Sequence, residues 1–279
     1  MPRTTSSPAL GYDRTGPTPG PTLVFVGGMG SSRAAWQNQV RAFAGTLDVL
    51  TYDHRGTGES TVVDEPVTMT DYAADLVRLL DELGIAEAAF VGLSFGGRVC
   101  QCLALDWPER VAGLVLGGTS CAGPSEAVSR GTEAMRAPPL ADPAAEQARW
   151  EELILPNLFG PRYRTQYPER MRSLARWRAR YPTDAVGLAR QWQAHQSFDV
   201  CGRLRFIQAP TLVLHGEDDA LASVDSARQL AERIPGASLT LLDGVGHSPN
   251  VEDPTRFNGA ILRFLAERLG WPVQAASAR

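Results

Sequence analysis

The chemistry in this sequence gathers around one serine. In Gly92-Leu-Ser94-Phe-Gly96, Ser94 stands where the apolar run Ala88–Leu93 gives way to a helical pattern reaching about Trp107. Glycines on both sides let a strand fold sharply into a helix, which lifts the hydroxyl to the C-terminal edge of a sheet. A serine hydroxyl is a weak nucleophile at neutral pH and needs a base. Of the four histidines, only His247, in Asp243-Gly-Val-Gly-His-Ser-Pro249, follows the last strand-like run. His54 follows the second strand, His195 lies in a middle segment, and His215 ends a strand, where a packed, hydrogen-bonded imidazole is the plainer reading. The base in turn needs a carboxylate to fix its tautomer and steady the imidazolium. Glu217, Asp218 and Asp219 stand together in the turn after the run Thr211–His215, so the acid is expected there.

Placing these groups at one sheet edge requires parallel strands separated by helices. Thr22–Val26, Leu47–Tyr52, Ala88–Leu93 and Val111–Leu116 are continuous apolar runs, as strands covered on both faces should be. Between them, Asp71–Leu83 carries Tyr72, Leu76, Leu79, Leu80 and Leu83 on one helical face and stops at Gly84. Ala9–Asp13 offers a possible short strand before the Pro/Gly-rich stretch that follows it. The alternation lapses from about Cys121 to Leu204, a helix-like and Pro-containing stretch. It resumes with strands Thr211–His215 and Ser238–Leu242 and helices Ser223–Ile234 and Pro254–Leu269. This spacing predicts an α/β fold with a mostly parallel, doubly wound sheet and right-handed crossovers. The domains expected are a core over 1–120 and 205–279 and a helical insertion over 121–204, acting as a cap on Ser94.

All 27 basic side chains among the 279 residues are arginine, since the sequence contains no lysine. Arginine cannot supply a titratable amine, which removes Schiff-base chemistry, the Ser-Lys hydrolases and the P-loop. A formal charge of -4 gives no electrostatic footprint for nucleic acid. No apolar run approaches the roughly 18 residues of a membrane span, and the N-terminus lacks the apolar core of a secretory signal. Cys100, Cys102, Cys121 and Cys201 are read as four reduced, mostly buried thiols in a cytoplasmic protein. No cofactor, metal, nucleic-acid or membrane partner is expected. The partner is a small-molecule substrate and the chain a monomer or homodimer.

These residues resemble the α/β-hydrolase superfamily, in its esterase and lactonase-like branch. The resemblance runs over roughly Thr22–Leu269 apart from the insertion, and Gly92-Leu-Ser-Phe-Gly-Gly97, Asp53-His-Arg-Gly-Thr-Gly58, Trp107-Pro-Glu-Arg-Val111, Gly216-Glu-Asp-Asp219 and Gly246-His247 carry it. It implies a triad of Ser94, Asp219 and His247, with Asp219 chosen over Asp218 because the acid stands three residues after the glycine. It implies an oxyanion hole from the backbone N–H groups of Met29 and Phe95. The chain departs from the pattern at Gly27, where relatives with His-Gly-x-Gly carry histidine, which puts the stiffness of that loop in question. Gly27-Gly-Met-Gly30 also lacks the G-x-G-x-x-G spacing of a dinucleotide site. Serine at the elbow excludes the aspartate nucleophile of epoxide- and haloalkane-opening relatives.

The expected activity is hydrolysis of a small or medium carboxylic ester or lactone through an acyl-enzyme, with Gly28, Trp177 and Trp192 as candidate substrate contacts. The same residues could also serve C–C bond cleavage, acyl transfer, or elimination and cyclisation with His247 as base. A ligand-binding receptor with vestigial catalysis is the reading from a different class. Arg162, Arg164, Arg170, Arg172, Arg176, Arg178, Arg180 and Arg190, with only Glu169 and Asp184 as acids between the first and last of them, make the second half of the insertion basic. A solvated face is the plainer reading than a steering patch for an anionic substrate, because arginine is this chain's only cation.

Overall fold

The computed structural model describes residues 2–123, 142, 145, 148–179 and 184–272. The strands are β1 (Tyr12–Thr15), β2 (Thr22–Val26), β3 (Asp48–Tyr52), β4 (Ala88–Leu93), β5 (Val111–Gly117), β6 (Thr211–Gly216) and β7 (Ser238–Leu242). They form one sheet in the order β1-β3-β2-β4-β5-β6-β7. Only β1 runs antiparallel, pairing Tyr12 with Tyr52; the other neighbours are parallel. The expected mostly parallel, doubly wound sheet is the one observed. Its edge strand lies a few residues later than Ala9–Asp13, where Tyr12 to Thr15 find the free edge of β3.

Helices cover both faces, which is why β2 and β3 are buried at every position. On one face pack α1 (Gln37–Phe43) and, from the C-terminal end of the chain, Phe257, Ile261, Phe264 and Leu265. On the other lie α2 (Met69–Glu82) and α3 (Phe95–Asp106), whose Leu76, Leu80, Val99 and Leu103 share one core cluster with Val24 and Phe90. α2 begins on a capping box in which Thr68 and Asp71 satisfy each other's backbone N–H groups, and its chain turns away at Gly84, φ 67°.

Between β5 and β6 the described elements are helical: a π-helical turn at Trp150–Ile154, then α4 (Leu155–Leu158), α5 (Pro161–Gln166), α6 (Pro168–Ala179) and α7 (Ala185–Gln196). Three further helices follow, α8 (Val224–Arg233), α9 (Pro249–Glu252) and α10 (Pro254–Leu269). Among the described residues no helix is long and apolar enough to cross a membrane.

One expectation is corrected. Cys121 and Cys201 form a disulfide, and only Cys100 and Cys102 are free, buried thiols. A sequence separation of 80 conceals their closeness. The chain leaves the sheet after β5 and returns before β6, and the departing and returning segments pair through Gly123 N–H to Phe198 O and Val200 N–H to Cys121 O. That pairing brings the two Cα atoms to 4.9 Å, within disulfide reach.

Candidate active site

Ser94 adopts φ 55° and ψ -116°, the only left-handed φ of a non-glycine among the described residues. Such backbone costs on the order of 1–3 kcal/mol and persists where the surroundings enforce it. Here the Ser94 N–H donates to Gly117 O on β5 (2.8 Å), while Ser94 O accepts from the Thr119 hydroxyl (2.8 Å) and the Gly97 N–H (3.0 Å). The flanking glycines are sterically required. A Cβ on Gly96 would lie 2.1 Å from Val26 O, and one on Gly92 would lie 2.6 Å from Gly96 O. The half-buried Ser94 thus sits at the tip of a compressed turn between β4 and α3, opposite Gly28, whose missing Cβ points at Ser94 Cβ.

His247 follows β7, and its Nδ1–H is shared between the two carboxylate oxygens of Asp219, at 2.8 and 3.0 Å. With Nδ1 so engaged, Nε2 is the nitrogen left to accept a proton. The imidazole lies against Gly118, next to the Gly117 that holds the Ser94 N–H. Asp219 has no exposed side-chain surface, and its Oδ1 also accepts from the N–H groups of Leu221 (2.8 Å) and Ala222 (2.9 Å). Burial alone would raise its pKa. His247, His215 and the Ala222 N–H outweigh that, and the carboxyl stays below its usual range. Asp218 is exposed and makes no such contact. The loop bearing His247 is tied by Glu252, which accepts from the N–H groups of Gly246 and Ser248 and, from α5's start, of Gly160.

The loop after β2 raised the question of what replaces the histidine absent at Gly27. His54, from the loop after β3, supplies an answer by donating Nε2–H to Gly27 O at 3.0 Å. Burial lowers the His54 pKa to about 4, so the ring is neutral at neutral pH, and the carbonyl partner selects the Nε2–H tautomer. The same ring stands edge-on to Phe95, with centroids 5.3 Å apart, and to Tyr52 and Tyr72. It therefore touches both expected oxyanion elements. Met29 is half-buried against the core, and Phe95 opens α3, where the first N–H groups of a helix have no intrahelical acceptor.

Three residues bear on the site that motif reading did not single out. His54 stood out only as a loop residue; Gln191 and Arg98 gave no local signal. Arg98, one turn beyond Ser94, donates to His195 Nδ1 (2.8 Å), His195 O (3.1 Å) and the Ser120 hydroxyl (2.8 Å). Burial lowers Arg98 to about 9, and burial together with Arg98 and His247 lowers His195 to about 2. Trp192 packs on His195, with ring centroids 5.0 Å apart. The side chain of Trp177, on α6, lies outside the described residues. His215 is a buried structural histidine, donating Nε2–H to Ala222 O at 2.9 Å.

A family model described as the alpha/beta hydrolase fold matches residues 21–254. The chain is 32% identical over 257 residues to 3-oxoadipate enol-lactonase 2 of Acinetobacter baylyi, covering 91% of each protein. It is 34% identical to a Variovorax paradoxus protein provisionally named carbamate hydrolase RutD, covering 92% of this chain and 96% of that one. The solved enol-lactonase of Burkholderia xenovorans superposes with a TM-score of 0.83 at 28% identity, over 95% of this chain and all of the other. With the elbow, the parallel sheet and the family match in agreement, the chain belongs to the alpha/beta hydrolase fold family of enzymes.

Proposed function

We propose that the protein is a serine hydrolase that opens a small or medium carboxylic ester or lactone through an acyl-enzyme on Ser94. One observation carries this reading: the Nδ1–H of His247 is committed to the buried Asp219 carboxylate, which leaves Nε2 as the base, against the strand end that holds the strained Ser94. Ser94 Oγ attacks the carbonyl carbon and His247 Nε2 takes the hydroxyl proton. The N–H groups of Met29 and Phe95 hold the developing oxyanion, each worth about 10²–10³ in kcat. His247 then gives its proton to the departing alkoxide or enolate. In the second half-reaction it activates water, which releases the acid and restores Ser94.

Residues 121–204 act in this reading as a cap over Ser94 that excludes water and sets specificity. The lactone preference draws support from the enol-lactonase relatives. A carbamate is the second reading, because the RutD-named relatives match at similar identity. Labelling with a fluorophosphonate, followed by a panel of esters, lactones and carbamates, tests both layers. The expected result is stoichiometric labelling of wild type, none of Ser94→Ala, and the highest kcat/KM on a lactone or ester. Unlabelled wild type would remove the nucleophile assignment, and a carbamate optimum would replace the substrate class.

A further inference from the structure

We infer that Gln191 is a positioning residue for the oxyanion loop, the link through which helix α7 fixes the peptide next to the Met29 N–H. The inference rests on the reading of Met29 and Phe95 as oxyanion donors. Gln191 is fully buried. Its Oε1 accepts from the Gly30 N–H at 2.7 Å, and its Nε2 donates to the Thr57 hydroxyl at 2.7 Å and to Arg55 O at 3.3 Å. Chemistry fixes the orientation of the amide, since Gly30 can only donate and Arg55 O can only accept.

The position of these bonds sets their consequence. The loop Gly27–Gly30 is held at its first carbonyl by His54 and at its last N–H by Gln191. Between those two fastenings lie only Gly28, facing Ser94, and Met29. Gly30 itself has φ 62°, and its peptide plane shares the Met29 Cα with the plane that carries the Met29 N–H. Only the φ and ψ of Met29 separate the two planes, so anchoring one restricts the positions open to the other.

The helix that carries Gln191 is itself secured at both ends. Near its start, Gly187 lies so close to Gly56 that a Cβ would fall 2.2 Å from Gly56 O. At its last turn, Arg98 donates to His195 O, which places a cation at the C-terminal end of the helix. Arg98 belongs to α3, the helix that begins directly after Ser94. α7 thus spans from the nucleophile's helix to the oxyanion loop, and Gln191 is the side chain that makes the last connection. It touches no reacting atom, so its loss should appear in kcat rather than KM.

The test uses the full-length protein, p-nitrophenyl acetate as substrate, and two inhibitors of one skeleton: a trifluoromethyl ketone that forms a tetrahedral adduct and its methyl ketone. Ser94→Ala comes first. If it turns over the ester at the wild-type rate, the underlying reading fails. If it is inert, the Gln191 variants speak for the inference alone. Gln191→Leu should lower kcat about 10- to 100-fold, the scale of an ångström-sized misplacement, with KM within about threefold. The trifluoromethyl ketone should weaken by a similar factor, and the methyl ketone should bind as before. Gln191→Glu keeps an acceptor for the Gly30 N–H but gives up the donors to Thr57 and Arg55 O, so it should lose less kcat than Leu without reaching wild type. A kcat within twofold of wild type in Gln191→Leu, an equal loss in Leu and Glu, or a loss shared by both ketones would overturn the inference. Should the Leu variant not fold, Thr57→Val cuts one of the two Nε2 bonds and leaves the other, to Arg55 O. It should lower kcat about threefold at unchanged KM, the scale of one neutral hydrogen bond, and an unchanged kcat there is equally fatal.

Discussion

Asp219 and His247 stand on the loops after β6 and β7, and the groups that fix them come from residues 215–252 of the same stretch: the Ala222 and Leu221 N–H groups, His215 and Glu252. The loop Gly27–Gly30 is built the other way. Its first carbonyl depends on His54, 27 residues away, and its last N–H on Gln191, 161 residues away. The Asp219–His247 pair draws most of its fastenings from one stretch of chain. The loop proposed to hold the oxyanion gains these two fastenings only once the loop after β3 and α7 have docked. The contrast implies that damage to α7 should reach the oxyanion loop and leave the His247–Asp219 pair intact.

The largest effect tests the self-contained half. Asp219→Asn is expected to cost about 10⁴ in kcat, since an amide holds the wrong imidazole tautomer. Exposed Asp218→Asn should leave steady-state kinetics unchanged. Parity between the two would break the assignment.

Next in size is the disulfide at the root of the helical segment. Closing an 80-residue span corresponds to about 4–5 kcal/mol in the chain-entropy treatment. Cys121→Ser should therefore lower Tm and urea midpoint. By the same contrast, the covalent reactivity of Ser94 toward a fluorophosphonate should change less than kcat on an ester. Equal losses would show the two halves to be coupled.

Acid gives a third probe. His54 has a folded pKa near 4, below the usual value of 6.5. The unfolded chain therefore binds a proton that the native site refuses. The associated stability is complete above pH 6.5 and is lost as pH falls toward 4, by up to about 3 kcal/mol. His54→Phe, measured by urea unfolding from pH 7.5 to 4.5, should have a shallower pH slope than wild type. An identical slope would mean that His54 is protonated in the fold.

The smallest effect sharpens the oxyanion half. His54→Phe keeps ring contact with Phe95 while deleting the bond to Gly27 O, and should lower kcat about tenfold with little change in KM. A change in KM alone would assign His54 to substrate binding.

The same contrast explains what could be read from the sequence. Strands β2 to β6 were legible because burial on both faces demands largely apolar runs. The Ser94 elbow was legible because its glycines are forced by contacts within one turn. His247 was found by its position after the final strand, and the choice of Asp219 over Asp218 came from family spacing. The Cys121–Cys201 pair, the His54 prop and the Gln191 bonds leave no local pattern, because each joins segments that only the folded sheet brings together. Even Arg98 reads as an ordinary helix residue until α7 ends against it.

The central claim, that Ser94 is the nucleophile served by His247 and Asp219, is tested most directly by acid-quenching the enzyme during turnover of p-nitrophenyl acetate and mapping the acylated peptide by mass spectrometry. The account predicts one acetyl group per chain on the peptide containing Ser94, absent from Ser94→Ala, which should not turn over. An acetyl group on another residue, or sustained turnover by Ser94→Ala, would contradict it.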